Sequence, residues 1–179
     1  MSNYLSTILL GQYEASLCML RETLVACPEE QWTGKIAFLR FGEAAYHVLF
    51  FTDYYLTQSE AAFELRELNV RGGDERKVVF SPGLSRAETI EYLDICRKKM
   101  QETIAAETQQ SLEAPARFER RNFSRGELHI YNIRHVQHHA AQMSAYLRRI
   151  GAAATSDAPT EVKALADLKA LPWVASGWR

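Results

Sequence analysis

The chain has 179 residues, 47% hydrophobic and 24% charged, a balance that suits one globular domain large enough to fold without disulfide staples. Its net charge of -1 removes any general electrostatic reason to bind nucleic acid or membrane surfaces, and no apolar run approaches the ~20 residues needed to span a bilayer. Cys18, Cys27 and Cys96 form no Cys-x-x-Cys motif and read as small core residues; without a basic, apolar leader at the start, a cytoplasmic location is expected.

The first predicted helix runs from Tyr4 to about Ala26, where Leu5, Ile8, Leu9, Leu17, Leu20 and Leu24 recur at helical spacing. The stretch from Cys27 through Pro28 to Trp32 breaks it. A second helix is expected from about Ile36 to Ser59, with Ala44, Val48, Phe51 and Tyr55 in period and Gly42 a weak point. Asn69 to Gly83, rich in glycine and charge, reads as a long loop. Ser85 and Glu88 form a capping box, in which each side chain satisfies a backbone donor of the other residue, and open a third helix reaching about Gln109. An arginine-rich connection containing Pro115 follows.

Ser124 and Glu127 make a second capping box, with Phe123 and Leu128 in the positions of a hydrophobic staple. They start a fourth helix that runs to about Ile150 and ends at Gly151. Residues 1–154 are therefore expected to form an all-α four-helix bundle, with a long connection between its second and third helices that permits a crossover. Residues 155–179 read as a tail with a short amphipathic helix over Glu161 to Ala170, packing on the bundle or on a dimer partner. No strand is expected, and the order of the helices stays open.

The fourth helix carries four of the five histidines, three of them in the string Arg134-His135-Val136-Gln137-His138-His139. Unrolled at about 100° per residue, Ile133, Val136, Ala140, Met143, Leu147 and Ile150 form an apolar stripe. His135 and His139, one turn apart, lie along its edge with Leu128 and Tyr146. His138 turns to the polar side. His47 sits on the inward face of the second helix, three residues after Ala44 and four before Phe51. Two imidazoles on a buried flank need several partners, and a metal ion satisfies both at once. His47, His135 and His139 are thus the candidate metal ligands; His129 points to another side. Three imidazoles suit zinc, nickel, copper or iron(II) and leave coordination positions open for water or substrate. The metalloprotease pattern His-Glu-x-x-His is absent, because Val136 stands where the glutamate would be. Glu43, one turn before His47, is a candidate fourth ligand or hydrogen-bond partner of a ligand.

These features together resemble the DinB-like superfamily of four-helix-bundle metalloenzymes over about Tyr4 to Gly151. Pro28 to Trp32 is similar to the family segment after its first helix. His47 followed by Phe51 to Leu56 is similar to its second-helix motif. Ser85 to Leu93 is similar to its third-helix start. His135 to Gln142, with Tyr146-Leu147-Arg148 and Gly151, is similar to the motif carrying two ligand histidines. Ala140-Ala141 departs from the Arg-Gly frequent in the family, and the tail lies outside the resemblance. The resemblance implies a divalent metal on His47, His135 and His139, frequent homodimers and, in some members, thiol-dependent S-transfer or isomerisation. Zinc or nickel is the first expectation for the ion, with iron or manganese next.

The resulting expectation is a metal-dependent transferase or hydrolase acting on a small electrophile, with a low-molecular-weight thiol as cosubstrate. The alternative is a metal-stabilised binding module without turnover. Catalytic residues beyond the ligands are not assigned. Arg117, Arg120, Arg121 and Arg125 read first as a solvated charge run and otherwise as an attractor for an anionic cosubstrate. Trp173, Val174 and Trp178 in the tail suggest a homodimer contact.

Overall fold

In a computed structural model the described residues are 4–77, 83–119 and 121–152; the tail expectations fall outside them. The elements are α1 (Tyr4–Ala26), a short hairpin of β1 (Lys35–Ile36) and β2 (Leu39–Arg40), α2 (Phe41–Leu56), α3 (Glu67–Gly72), α4 (Arg86–Ala106), α5 (Gln109–Glu113) and α6 (Arg125–Ala152). The chain is an all-α bundle of four long helices, α1, α2, α4 and α6.

Side-chain contacts give the topology that the sequence left open. Tyr13 meets His129, and Gln31 just beyond α1 meets Tyr146, so α1 and α6 run parallel. Asn132 donates to the Thr52 carbonyl and Arg125 to that of Tyr55, so α2 runs against α6. Cys96 faces Leu49 and Thr103 faces Leu56, so α4 runs parallel to α2. Arg97 reaches Glu14 while Arg86 reaches Cys27, so α4 opposes α1. Two parallel neighbours cannot be joined by a tight turn. The long segment between α2 and α4 is the crossover this arrangement requires.

The core forms where the apolar stripes meet. Leu9, Tyr13, Leu17, Leu20 and Leu24 of α1 face Tyr92, Leu93, Cys96, Met100 and Ile104 of α4 and Leu128, Val136, Ala140, Met143 and Leu147 of α6, all buried. Helix α2 is buried on nearly every side. Its Asp53 is fully buried between Arg66 Nε at 2.8 Å, Lys99 Nζ at 2.6 Å and the Tyr92 hydroxyl at 3.0 Å. Burial alone would raise this carboxyl, but Arg66 and Lys99 prevail and hold it below its ordinary value. The charge is paired, and the pairing ties the crossover to both parallel helices.

Three expectations need correction. The second helix starts at Phe41, not Ile36, because the chain first forms the β1–β2 hairpin, with Lys35 opposite Arg40 and Ile36 opposite Leu39. Its turn holds Ala37 at a φ of 53°, a conformation usually left to glycine or asparagine, so the sequence carries no turn signal there. The loop read over Asn69 to Gly83 contains the end of α3, and α5 follows α4 as a separate turn. Gly151 does not stop α6, which continues to Ala152. Both capping boxes form, with Ser85 Oγ accepting from the Glu88 amide and Ser124 Oγ from that of Glu127.

Gly42 is not merely a weak point in α2. A Cβ there would lie 2.4 Å from the indole nitrogen of Trp32, which donates to the Leu84 carbonyl at 2.9 Å. Helix propensity alone favours alanine by about 1 kcal/mol. Because a rigid, hydrogen-bonded indole must move, Gly42→Ala is instead expected to destabilise by about 2 kcal/mol. A denaturant midpoint equal to or above that of the parent protein would refute this.

Candidate metal centre

The antiparallel contact of α2 and α6 brings His47 against His135 and His139. The ring centroids lie 5.5 Å (47–135), 5.1 Å (47–139) and 4.7 Å (135–139) apart, and one nitrogen from each ring lies within 4.8 Å of the others. This is a group that could hold a metal ion. The i, i+4 spacing sets two rings on consecutive turns of α6, and α2 supplies the third across the interface.

Phe51 packs on His47 at 4.9 Å and on His135 at 6.1 Å, while Tyr131 stacks parallel to His135 at 6.5 Å. The His47 side chain is 27% exposed, so the cluster reaches the surface. His135 and Tyr131 also border a cleft that extends over Ala140 and Ala141 toward Met19 and Thr23 of α1.

The electrostatics favour a cation ligated by neutral nitrogens. Burial, reinforced by the neighbouring imidazoles, lowers His135 to about 2 and His139 to about 4, so both rings are neutral at neutral pH and keep a lone pair. The Nδ1 atoms of both rings are buried with no hydrogen-bond partner. Leaving such an atom unsatisfied costs about 1–3 kcal/mol. The donor set therefore fits a borderline divalent ion such as zinc or nickel.

One contact near the cluster was not foreseen. Glu75, from the segment after α3, places Oε2 3.2 Å from His47 Nδ1. Glu43, expected in that role, instead accepts from the Arg40 backbone at 2.7 Å and caps the start of α2. No local pattern marks Glu75, which lies 28 residues from His47 in an aperiodic stretch.

The family model of the DinB superfamily matches residues 12–143. The chain belongs to the DinB superfamily. No curated protein and no solved structure gives a match. The match covers all three clustered histidines of this DinB-superfamily member, while the tail lies beyond it.

The remaining candidates separate. His138 is exposed; its ring lies 5.2 Å from that of His139, outside the cluster. His138→Ala is therefore expected to keep any metal bound by the wild type, checked by elemental analysis of the purified variant. Fully buried His129 faces the Tyr13 hydroxyl at 3.1 Å and Glu107 at 3.0 Å, far from the cluster's face of α6.

The arginines do not form one anion patch. Arg117 is exposed, Arg120 lies outside the described residues, and Arg125 is buried against Glu107. Of those that are described, Arg121 is the one that comes near the cluster. Its NH2 donates to the hydroxyls of Tyr55 at 3.1 Å and Tyr131 at 3.2 Å. All three cysteines are free, and burial pushes the Cys27 thiol up to about 12 and Cys96 well above its ordinary value, so neither supplies a thiolate. No helix among the described residues is long and apolar enough to cross a membrane.

Proposed function

We propose that His47, His135 and His139 bind one divalent metal ion, zinc or nickel, and that the protein is a metal-dependent transferase joining a small thiol to a small electrophile. The observation that carries this reading is the convergence of three imidazoles, two of them held neutral, with no fourth histidine, cysteine or carboxylate in the group among the described residues. A closed structural site would have four protein ligands. When bound, a divalent ion with only neutral protein ligands keeps its full charge and lowers the pKa of a coordinated thiol to thiolate at neutral pH.

The chain's own residues then have defined tasks. The neutral imidazoles hold the site without competing for positive charge. Phe51 and Tyr131 wall the cluster and limit water around an incoming sulfur. Arg121, held by two tyrosine hydroxyls beside this wall, offers positive charge to an anionic group of either reactant. In the overall reaction the thiol gives its proton to water and its sulfur bonds to the electrophilic carbon. The leaving group departs with the electron pair of the broken bond.

The test uses the cobalt-substituted protein. A small thiol is expected to produce sulfur-to-metal charge-transfer absorption, and conjugation to an electrophile should be faster with metal than without. His47→Ala should lose both effects. If a broad set of thiols gives neither, the transferase reading fails, and hydrolysis by metal-bound water or a non-catalytic metal module takes its place.

A further inference from the structure

The segment that follows α3 supplies the carboxylate beside the histidine cluster. We infer that Glu75 is a positioning residue that fixes the tautomer and orientation of His47 for the metal, an inference that rests on the metal reading above. The Glu75 side chain is only 5% exposed, and its Oε2 lies 3.2 Å from His47 Nδ1. A carboxylate so withdrawn from water needs a donor, and the ring nitrogen facing it is that donor when it carries the proton. With the proton on Nδ1, the lone pair of His47 is on Nε2, the nitrogen left for the ion. His135 and His139 have no such partner on Nδ1.

The surrounding chain holds Glu75 in place. Gly73 turns the backbone at the end of α3 with a φ of 102°, a conformation strained for any residue with a Cβ. Its carbonyl accepts from the hydroxyl of Tyr46, the immediate neighbour of His47, at 2.5 Å. Asp74 then accepts from the backbone amide of Arg76 at 3.2 Å and from its Nε and NH2 at 2.8 Å each. The Arg76 guanidinium rests over the Phe63 ring at 5.1 Å. Both neighbours of Glu75 are thus tied down, and the turn just before them is tied to α2 itself. The crossover that the parallel helices require also delivers a metal-site residue.

The experiment compares zinc affinity of the full-length wild type, Glu75→Ala and Glu75→Gln by competition with a chromophoric chelator. The imidazole nitrogen resonances of the zinc-loaded proteins are recorded alongside. Loss of a hydrogen-bond partner to a ligand histidine typically costs 10–100-fold in metal affinity, and Glu75→Ala is expected within that range. Glu75→Gln retains an oxygen that accepts from Nδ1–H and should lose less, while keeping the His47 Nδ1–H signal that Glu75→Ala loses. A Glu75→Ala affinity within twofold of wild type would overturn the inference, as would a Gln variant as weak as Ala with the Nδ1–H signal unchanged in both. Absence of zinc binding by the wild type itself would overturn the metal reading instead, which keeps the two failures apart.

Discussion

The His139→Ala protein is expected to lose about two orders of magnitude in zinc affinity and to be isolated without stoichiometric metal. Tetrahedral zinc sites bind with about 10–16 kcal/mol over four ligands, so one ligand is worth about 3 kcal/mol, roughly a hundredfold. The metal-free fold should change little. His139 sits at the edge of the core, and its removal also removes a buried ring nitrogen that lacks a partner. This separates a ligand from a packing residue. Zinc at a thousandfold excess over its dissociation constant should stabilise the wild type by about 4 kcal/mol, and this increment should shrink or vanish in the variant. Thermal unfolding of both proteins with and without zinc, together with elemental analysis, measures each part. Equal metal content in the two proteins would remove His139 from the ligand set.

The long helices were legible in the sequence because their signals are local. Leucines spaced by three and four residues, and a serine three residues before a glutamate, mark α1, α4 and α6 wherever they pack. Their crossing order was not legible. It depends on which stripe meets which, and only the length of the segment after α2 hinted at parallel neighbours. The β1–β2 hairpin escaped because Ala37 occupies a backbone region where alanine is rarely found.

The same division holds at the histidine cluster. His135 and His139 share a face by period, and His47 lies inward by period, so helical spacing alone argues for their convergence. Glu75 comes from an aperiodic segment, and its approach depends on the Gly73 turn and the Tyr46 hydroxyl. Glu43 was the reasonable candidate by spacing, yet an acidic side chain in the first turn of a helix is drawn to the free backbone donors there. Arg125 and His129 looked like surface charge and a stray histidine. The position of Arg125 at the start of α6, opposite the end of α2, makes both of them core.

Arg125→Met is expected to be among the most destabilising single substitutions in the bundle, at about 3–5 kcal/mol. The guanidinium is 5% exposed and donates to Glu107 at 2.9 Å and to the carbonyls of Tyr55, Leu56 and Thr57 at 3.0, 3.1 and 2.6 Å. Those carbonyls close the end of α2, where a helix leaves its last acceptors without partners. The variant abandons them and leaves the Glu107 carboxylate buried with only His129 and Ser111 as partners. Acid unfolding checks the electrostatic part. Burial works against the Glu107 charge, but hydrogen bonds from His129, Ser111 and Arg125 prevail and lower its pKa from 4.5 to about 2. A carboxyl lowered on folding contributes stability above its unfolded value, and that stability is lost as the pH falls from about 4.5 toward 2, a loss on the order of 3 kcal/mol. His129, lowered by burial, acts in the same direction below 6.5, because only the unfolded chain takes up its proton readily. Without Arg125 the Glu107 pKa rises toward its unfolded value, so the variant should be both less stable at neutral pH and less sensitive to pH between 4.5 and 2. Arg97→Met is the control. Its ion pair with Glu14, at 2.7 Å, is just as short, but its side chain is 44% exposed, and solvent-screened pairs are worth about 0–1 kcal/mol. Equal losses in the two variants, measured by urea unfolding at neutral pH, would mean that burial of Arg125 adds nothing to the junction of α2 and α6. Losses several-fold apart would show that the buried guanidinium stabilises the junction of α2 and α6 far more than a solvent-screened pair does.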